Sequence, residues 1–313
     1  MTARLPPASF GWIMPSGAFG VEGRAAYVAD IERGLRLIAG HFDSAWMSDH
    51  LQFGTADRLD GWTALTYFAA RHPNLQFGHA VLCQSYRNPA LLAKMAATLQ
   101  ALTGGRYQLG LGAGWHEEEY RAYNYPFPSA VDRVTQLAET AQIIRALWID
   151  APATVTGRHY AVTEAYCEPR PDPAPPITIA AWGPRMLQVT AQYADWWDIG
   201  RETPESYAGY VDLMDAACQA VGRDPATLRR SIWFSLCACA RTEEEAIARA
   251  GKAYGQEPGL VGTPAQLVAQ IQRYRALGAE RFELGSYGFP DLETLELLVH
   301  EVLPALRAGD PDP

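Results

Sequence analysis

The sequence predicts an α/β protein built as a single (β/α)8 TIM barrel over residues 1–313. Eight short apolar segments have the character of strands, and segments with helical spacing of their apolar residues separate them. No linker, low-complexity segment or repeat of fixed period divides the chain. A closed barrel of alternating strands and helices accommodates 313 residues as one domain, so these observations together favour it.

The predicted strands are short runs rich in apolar residues, most of them followed by glycine, proline or aspartate. Between Tyr107 and Leu111 the large side chains occupy every second position, which is the period of a strand. We predict strands at Ser9–Met14, Phe42–Ser48, Leu75–Leu82, Tyr107–Leu111, Ile177–Ala181, Asp195–Gly200, Ser231–Ala240 and Arg281–Gly285.

The predicted helices have apolar residues three or four positions apart and recognisable end signals. Ile31 and Leu35 follow this spacing before Gly40, which ends the first helix. Asn88-Pro89 places a capping residue before a proline at the first helical position. We predict helices at 25–39, 61–71, 88–99, 129–148, from 182 onward, and at 204–221, 242–254, 263–277 and 291–306.

A small hairpin is predicted as an insertion after the fourth helix, at Thr154–Val162 with a turn at Gly157-Arg158. Because it follows a helix and precedes a strand, we expect it on the barrel face opposite catalysis. His159 is therefore predicted to be structural.

Composition excludes several classes of function. A formal net charge of −9 and a pI near 5.3 argue against nucleic acid or an anionic membrane as a partner. No apolar run approaches the roughly 20 residues of a membrane span. The first residues lack the apolar core of a signal peptide, so we expect a cytoplasmic protein.

The thiol and imidazole spacings do not indicate a metal site. Five cysteines form no C-x-x-C pair, and their odd number predicts free thiols in a cytoplasmic chain. None of the seven histidines stands in a His-x-His pattern, and no G-x-S-x-G motif is present. These observations favour a borrowed redox cofactor over a metal or a protein nucleophile.

A column of glycines lies at the predicted fourth strand. Gly110, Gly112 and Gly114 leave a trough against which a ligand or another backbone could lie closely. The alternative is that these glycines only relieve crowding inside the barrel. The run Gly110–Gly114 does not match the G-x-G-x-x-G fingerprint of dinucleotide-binding folds.

Three motifs in this region resemble the bacterial luciferase-like monooxygenase family: Thr103-Gly-Gly-Arg106, Leu109-Gly-Leu-Gly-Ala-Gly-Trp-His-Glu-Glu-Glu119, and Phe127-Pro128 followed by Arg133. The branch that the chain most resembles is that of the deazaflavin (coenzyme F420)-dependent oxidoreductases. The likeness extends over residues 10 to about 306 and is densest at 86–148.

Asp49-His50 follows the second predicted strand and could form a general acid/base pair, because imidazole titrates near neutrality. A histidine that only hydrogen-bonds within its loop is the alternative. In F420-dependent relatives the matching histidine is implicated in proton transfer beside the cofactor ring. The resemblance therefore implies that His50 and Asp49 are catalytic.

The resemblance also implies cofactor contacts at strand ends. Ala80-Val81 matches a non-prolyl cis peptide that buttresses the flavin ring in relatives. Trp182-Gly183-Pro184-Arg185 opens a helix where relatives bind a cofactor phosphate, although many have Gly-Gly where this chain has Trp182-Gly183. A plain proline-initiated helix is the alternative. The predicted cofactor-binding set is Trp12, Ala80, Val81, Leu82, Cys83, Ala113, Gly114, Trp115, Trp182, Gly183 and Arg185.

Sugar-phosphate dehydrogenases of this family have a catalytic glutamate where this chain has Trp115, so their activity is not expected here. Glu118 and Glu119 are predicted to cap the following helix or to be solvated.

The leading hypothesis is hydride transfer between coenzyme F420 and a small organic substrate. An FMN-dependent monooxygenase that receives reduced flavin from a separate reductase and uses O2 is the alternative within the fold. A non-catalytic flavin-binding barrel is the alternative from another class. Relatives are often dimers, which suggests a homodimer by analogy.

Overall fold

The protein forms a closed parallel barrel surrounded by helices, as seen in a computed structural model that describes residues 7–17 and 24–308. The ends of the predicted domain, residues 1–6 and 309–313, and residues 18–23 lie outside the described residues. The strands are β1 (Ser9–Ile13), β2 (Ser44–Met47), β3 (Gln76–His79), β4 (Leu82–Cys83), β5 (Tyr107–Gly112), β6 (Ala153–Thr156), β7 (Ala161–Ala165), β8 (Ile177–Ala180), β9 (Trp196–Gly200), β10 (Arg229–Phe234), β11 (Cys237–Cys239), β12 (Leu260–Gly262) and β13 (Arg281–Leu284).

The helices lie around the barrel, and their caps agree with the end signals in the sequence. Asn88 accepts hydrogen bonds from the Ala90 and Leu91 amides, as expected for a capping residue before Pro89. The helices are α1 (Arg24–Ile38), α2 (Gly61–Arg71), α3 (Pro89–Thr103), α4 (Glu117–Ala122), α5 (Ala130–Ile149), α6 (Pro184–Tyr193), α7 (Pro204–Ala220), α8 (Glu243–Ala250), α9 (Pro264–Ala276), α10 (Glu293–Leu297) and α11 (Leu303–Arg307), the last two joined by a π-helical turn.

The barrel closes in the order β3-β2-β1-β13-β10-β9-β8-β5, with β5 pairing back to β3. β4 also pairs with β5, so β3 and β4 are two parts of one barrel strand. Ala80 and Val81 interrupt that strand, and the peptide between them is cis. The closed eight-stranded parallel barrel predicted from the alternation of elements is confirmed.

One predicted strand is wrong in extent. The seventh, predicted to run from Ser231 to Ala240, ends as a barrel strand at Phe234. β11 then leaves the barrel and pairs with β12, a strand that the sequence pattern did not reveal. The break is invisible in hydropathy because Cys237 and Cys239 remain fully buried in their new position.

The barrel interior is polar at its centre. The Arg281 guanidinium donates to Gln108 Oε1 at 2.7 Å and to Ser231 Oγ at 3.2 Å, and its Nε lies 2.9 Å from Glu283 Oε1. Asp198 accepts from the same Ser231 hydroxyl at 2.7 Å. β5 and β13 are not neighbours in the sheet, so the Gln108–Arg281 bond crosses the inside of the barrel.

Two carboxyl groups thus face one guanidinium in a water-poor interior. Burial raises the pKa of Asp198 to about 6 and that of Glu283 to about 8, although the Arg281 charge acts in the opposite direction. Near neutral pH a protonated Glu283, an ionised Asp198 and the Arg281 guanidinium together carry no net charge.

The predicted hairpin is present as antiparallel β6 and β7. The prediction that it lies on the barrel face opposite catalysis is wrong for the tip of the hairpin. The Glu139 carboxylate on α5 accepts the backbone N–H groups of Arg158, His159 and Tyr160 at 2.7–2.9 Å. His159 Nε2 also lies 3.6 Å from Asp132 in the first turn of α5, so the tip lies beside the N-terminal half of that helix, toward the face where β5 ends. A buried helix carboxylate, invisible in the local hairpin pattern, determines this direction.

All five cysteines are buried and unpaired, which confirms the prediction of free thiols. Within residues 7–17 and 24–308, no cluster of three or more His, Cys, Asp or Glu side chains is suited to a metal ion. None of the helices in those ranges combines the length and apolar character that crossing a bilayer requires.

Candidate active site

The carboxyl ends of the eight parallel strands meet at one face of the barrel, where parallel barrels carry their active sites. We call this face the mouth. Its partly exposed residues at or just beyond strand ends are Ile13, Ser48, Ala80, Val81, Ala113, Trp182 and Trp233.

His50 lies at this face, in the loop after β2, with 20% of its side chain exposed. Its Nδ1 is 3.0 Å from Oε1 of Glu119 on α4. The other oxygen of that carboxylate accepts the backbone N–H of Leu51 at 2.7 Å. Glu119 therefore holds both the imidazole and the loop that carries it.

The Glu119 carboxylate is ionised near neutral pH. Burial by itself would raise the pKa of this group, but the hydrogen bonds from His50 and the Leu51 amide outweigh burial and lower it below its ordinary value. An ionised carboxylate only accepts hydrogen bonds, so Nδ1 of His50 carries the shared proton. Nε2 is then the imidazole nitrogen left for exchange with a bound molecule.

The prediction that Glu119 caps a helix or is solvated is wrong, because its side chain is only 3% exposed. Its two neighbours do lie outward: Glu117 pairs with Arg121 on the same short helix, and Glu118 accepts from the Gln52 amide. Three consecutive glutamates are equivalent in sequence, and only the rotation of α4 against the His50 loop distinguishes them.

Aromatic rings surround His50. Phe53 lies edge-on to the imidazole with ring centres 4.5 Å apart, and Trp115 lies 5.8 Å away. His116 stacks on Phe53 at 4.5 Å, and Arg58 lies over the same ring at 4.2 Å. Trp115 is 65% exposed, so a large aromatic surface stands open next to the imidazole.

Asp49 does not pair with His50 as the sequence suggested. Its buried carboxylate accepts two hydrogen bonds from Arg87, at 2.7 and 3.0 Å, and one from the Cys83 amide at 3.0 Å. These bonds join the end of β2 to β4. The side chains of Asp49 and His50 point to opposite sides of the loop, so the two residues do not contact each other.

The cis peptide implied at Ala80-Val81 is present, and it explains the glycine column. A Cβ on Gly110 would lie 1.7 Å from the His79 carbonyl oxygen, and one on Gly112 would lie 2.7 Å from the Val81 side chain. Gly110 therefore makes room for the backbone of the neighbouring strand and Gly112 for a side chain beside it. These contacts agree with the alternative that the glycines relieve crowding inside the barrel, and a ligand in the trough stays a prediction.

Leu82 and Cys83, predicted in the cofactor set, lie beneath the mouth. Leu82 is fully buried, and the Cys83 thiol lies 2.9 Å from the Tyr120 hydroxyl. Gly114 adopts a φ of +79°, and a Cβ there would collide with that same hydroxyl at 1.9 Å. Ala113 and Gly114 remain partly exposed.

Phe127-Pro128 and Arg133, which belong to the family motifs, support the loop after β5. The Arg133 guanidinium lies 4.1 Å from the Phe127 ring centre and donates to the carbonyls of Gly114 and Pro128, at 3.2 and 2.6 Å. Arg133 thus stabilises the segment between β5 and α4 through its bond to the Gly114 carbonyl, although it lies 19 positions further along the chain.

Trp182 is partly buried at the start of α6. Its indole donates to Glu202 at 3.1 Å and lies edge-on to Trp233, with ring centres 6.5 Å apart. Gly183, the N-cap of α6, and Arg185 in its first turn are both exposed. Because the Trp182 indole packs against Glu202 and Trp233, it does not cover the N-terminus of α6.

Trp12 is not brought to the mouth. It is fully buried, its indole packs over Gly34 on α1, and its Nε1 donates to Ser286 at 3.1 Å. The alternation along β1 directs Trp12 outward to the helices, so Ile13 is the partly exposed residue at that strand end.

A model of the luciferase-like monooxygenases matches residues 10–258, which is most of the chain. The protein belongs to the luciferase-like monooxygenase family. Sequence reasoning identified this family from the motifs around β5, and the match confirms it.

Among its relatives is an F420-dependent hydroxymycolic acid dehydrogenase of Mycobacterium tuberculosis, 32% identical over 74% of this chain and 64% of the relative. An F420-dependent glucose-6-phosphate dehydrogenase of Kineococcus radiotolerans is 35% identical over 49% and 46% of the two chains. The chain thus spans about half to two thirds of the length of these curated relatives.

Solved structures show the same fold. An F420-dependent secondary alcohol dehydrogenase in complex with an F420-acetone adduct superposes with a TM-score of 0.83. The match covers 96% of this chain and 99% of that one at 18% identity. This likeness supports the luciferase-like barrel and its orientation of strands and helices.

Proposed function

We propose that this luciferase-like protein is an oxidoreductase that binds coenzyme F420 and exchanges hydride with an uncharged organic substrate. The observation that carries the proposal is the buried Glu119–His50 pair at the mouth, 3.0 Å between Oε1 and Nδ1. The pair leaves Nε2 of His50 as the nitrogen that exchanges a proton with the substrate, and the rings of Phe53 and Trp115 border it. The F420-dependent names of the relatives support the choice of cofactor.

The residues at the mouth fit a deazaflavin. Ala80, Val81, Ala113 and Gly114 are partly exposed and small or aliphatic, which suits the flat face of a ring system. The exposed start of α6 provides free N–H groups together with Arg185, which suits a phosphate. When bound, a deazaflavin would supply a hydride at ring carbon 5 and little reactivity toward oxygen.

The chain's own contribution is proton transfer and exclusion of water. His50 holds a proton at Nδ1 against Glu119, so Nε2 can take the proton of a substrate hydroxyl and, once protonated, give it to a carbonyl oxygen in the reverse direction. Phe53, Trp115 and Trp182 wall the approach with apolar surface, which strengthens polar interactions inside it. Asp49 contributes indirectly, because its ion pair with Arg87 holds the loop that carries His50 in place.

The charges near His50 favour a substrate without phosphate. Arg58 lies over Phe53 and donates to the Ser16 hydroxyl, and Arg87 is paired with Asp49. Arg201 is paired with Glu257 across the mouth. With these guanidinium groups engaged and an exposed Trp115 beside the imidazole, an apolar alcohol or ketone is the best chemical match.

Binding titrations with F420 and FMN, followed by quenching of tryptophan fluorescence, test the cofactor. We expect saturable binding of F420, at least tenfold tighter than FMN. Arg185→Ala should weaken F420 binding, whereas Arg36→Ala on the surface of α1 should not. Preferential FMN binding would instead support a two-component monooxygenase, with oxygen uptake in the presence of a flavin reductase. Failure to bind either cofactor would contradict both functions.

His50→Gln should separate binding from chemistry. We expect F420 affinity within about twofold of the parent protein and a fall in kcat of about a hundredfold or more, since general acid–base catalysis contributes on that order. The assay follows reduction of F420 by a panel of apolar secondary alcohols without oxygen. Unchanged turnover by this variant would remove His50 from the reaction.

A homodimer remains our proposal by analogy with relatives. Sedimentation of the purified chain, with and without F420, tests it directly. A separate reductase is required only by the monooxygenase alternative.

A further inference from the structure

The Glu119 carboxylate makes contacts that go beyond stabilising its own helix. One oxygen lies 3.0 Å from Nδ1 of His50 and the other accepts the Leu51 amide at 2.7 Å, across 69 and 68 positions of sequence. Both contacts are to the loop after β2, and the carboxylate is almost fully buried. Glu119 is thus the buried link between α4 and the loop of the imidazole, and Glu118 adds an exposed contact to Gln52 at 3.2 Å.

This contact is specific to one of three glutamates. Within the described ranges, the ion-pair partner of Glu119 is His50 itself, and no arginine lies at salt-bridge distance from it. Glu117 and Glu118 engage Arg121 and Gln52 at the exposed surface. A buried carboxylate is costly unless its hydrogen bonds are well made, as those to His50 and the Leu51 amide are here.

The contact also selects one state of the imidazole. A carboxylate on Nδ1 stabilises the Nδ1–H tautomer and leaves Nε2 with its lone pair directed away from the pair. Phe53 at 4.5 Å and Trp115 at 5.8 Å border the same ring and restrict its rotation. Without the carboxylate, nothing would favour the proton on Nδ1 over Nε2.

We propose that Glu119 is a positioning residue that sets the tautomer and orientation of His50, so that Nε2 is presented at the mouth. The catalytic consequence rests on the proposed function, whereas the structural consequence does not. The two can therefore be tested separately.

The first test needs neither cofactor nor substrate. Long-range 1H–15N spectra of the 15N-histidine-labelled protein, with His50 assigned through His50→Gln, report which ring nitrogen carries the proton. We expect the Nδ1–H form in the parent protein and loss of that preference in Glu119→Gln. Glu117→Gln is the matched control, two residues away, exposed and paired with Arg121 on α4 itself, and should leave the His50 signals unchanged. An Nε2–H ring in the parent, or an unaltered ring in Glu119→Gln, would overturn the proposal.

Thermal unfolding of each variant separates positioning from folding. If Glu119→Gln does not fold, Glu119→Asp provides the test, because it keeps the charge but withdraws it by one methylene. That variant should show a mixture of tautomers with the loop intact. A folded Glu119→Asp with the parent's spectrum would also overturn the proposal.

The second test uses turnover. Glu119→Gln should lower kcat about ten- to a hundredfold with KM and F420 affinity within twofold, in line with the loss of an orienting hydrogen bond. In the His50→Gln background it should lower kcat no further. A tautomer change without any measurable F420 chemistry would leave positioning intact and refute the proposed function. An unchanged kcat in an F420-active protein would refute the catalytic role of Glu119.

Discussion

Asp49 and His50 are adjacent in the chain, yet each is held by a different part of the barrel. His50 is bound by Glu119 from α4, whereas Asp49 is bound by Arg87 and the Cys83 amide at the end of β4. Their side chains leave the loop in opposite directions, so the general acid/base pair expected from the sequence is divided into two contacts.

Asp49→Asn should destabilise the protein strongly. The substitution leaves Arg87, which is 12% exposed, without its buried carboxylate, and breaking such a pair costs about 3–5 kcal/mol. Urea unfolding measures the change. Glu117→Gln, which removes an exposed pair with Arg121, is the control and should cost less than about 0.5 kcal/mol. Equal losses in the two variants would mean that the Asp49 ion pair does not support the fold.

At the scale of elements, the contact between β3, β4 and β5 shapes the mouth. The chain at His79-Ala80-Val81 enters the space that Gly110 and Gly112 leave open on β5. The glycines of β5 and the interruption between β3 and β4 therefore depend on each other. The interrupted chain fits against β5 only because Gly110 and Gly112 have no side chains there.

Gly110→Ala should therefore destabilise the barrel by at least about 3 kcal/mol, the upper end of the cost of overpacking. Its Cβ would lie 1.7 Å from a backbone oxygen, which cannot rotate away as a side chain can. Gly183→Ala is the matched control: its Cβ meets no atom within 4 Å, and φ there is −76°. Chemical denaturation compares them. A Gly110→Ala protein as stable as the control would show that this packing is looser than described.

At the scale of the whole molecule, four strands contribute to the polar centre of the barrel. Arg281 and Glu283 from β13 meet Gln108 from β5, Asp198 from β9 and Ser231 from β10. The aromatic faces of Trp46 and Trp196 lie 4.4 and 4.2 Å from the guanidinium. Charge is thereby held inside the barrel, where its balance depends on pH.

We expect the free energy of unfolding to fall as pH rises from about 5 to about 8. Glu283 keeps its proton in the folded protein to a pKa of about 8, against an ordinary value of 4.5, because it is buried. In this window the unfolded chain binds fewer protons than the folded one, so stability declines, by up to about 1.4 kcal/mol per pH unit for one proton. Below this window the stabilisation is fully present.

Glu283→Gln should remove the decline above about pH 6, whereas Asp198, whose pKa burial raises to about 6, still contributes below it. Denaturation curves at several pH values compare the variant with the parent, and the difference in their unfolding free energies should change steadily across the window. Glu118→Gln serves as a surface control with the parent's pH dependence. Parallel curves for parent and Glu283→Gln would show that the titrating group lies elsewhere.

Much of this molecule could be read from its sequence. Alternating apolar periods gave the eight-stranded barrel, and the Asn88-Pro89 cap and the motifs around β5 gave local structure and family. These features depend on neighbours within a few positions, or on motifs that recur in relatives. Such information is local, so a single chain contains it.

Tertiary structure alone decided which faces look inward and which distant groups meet. Both faces of a parallel barrel strand are buried, so hydropathy could not show that Trp12 points to α1 while Ile13 ends at the mouth. Likewise, only the docking of α4 selects Glu119 from three equal glutamates. Contacts across dozens of residues are determined by packing of whole elements, and no local pattern encodes that rotation.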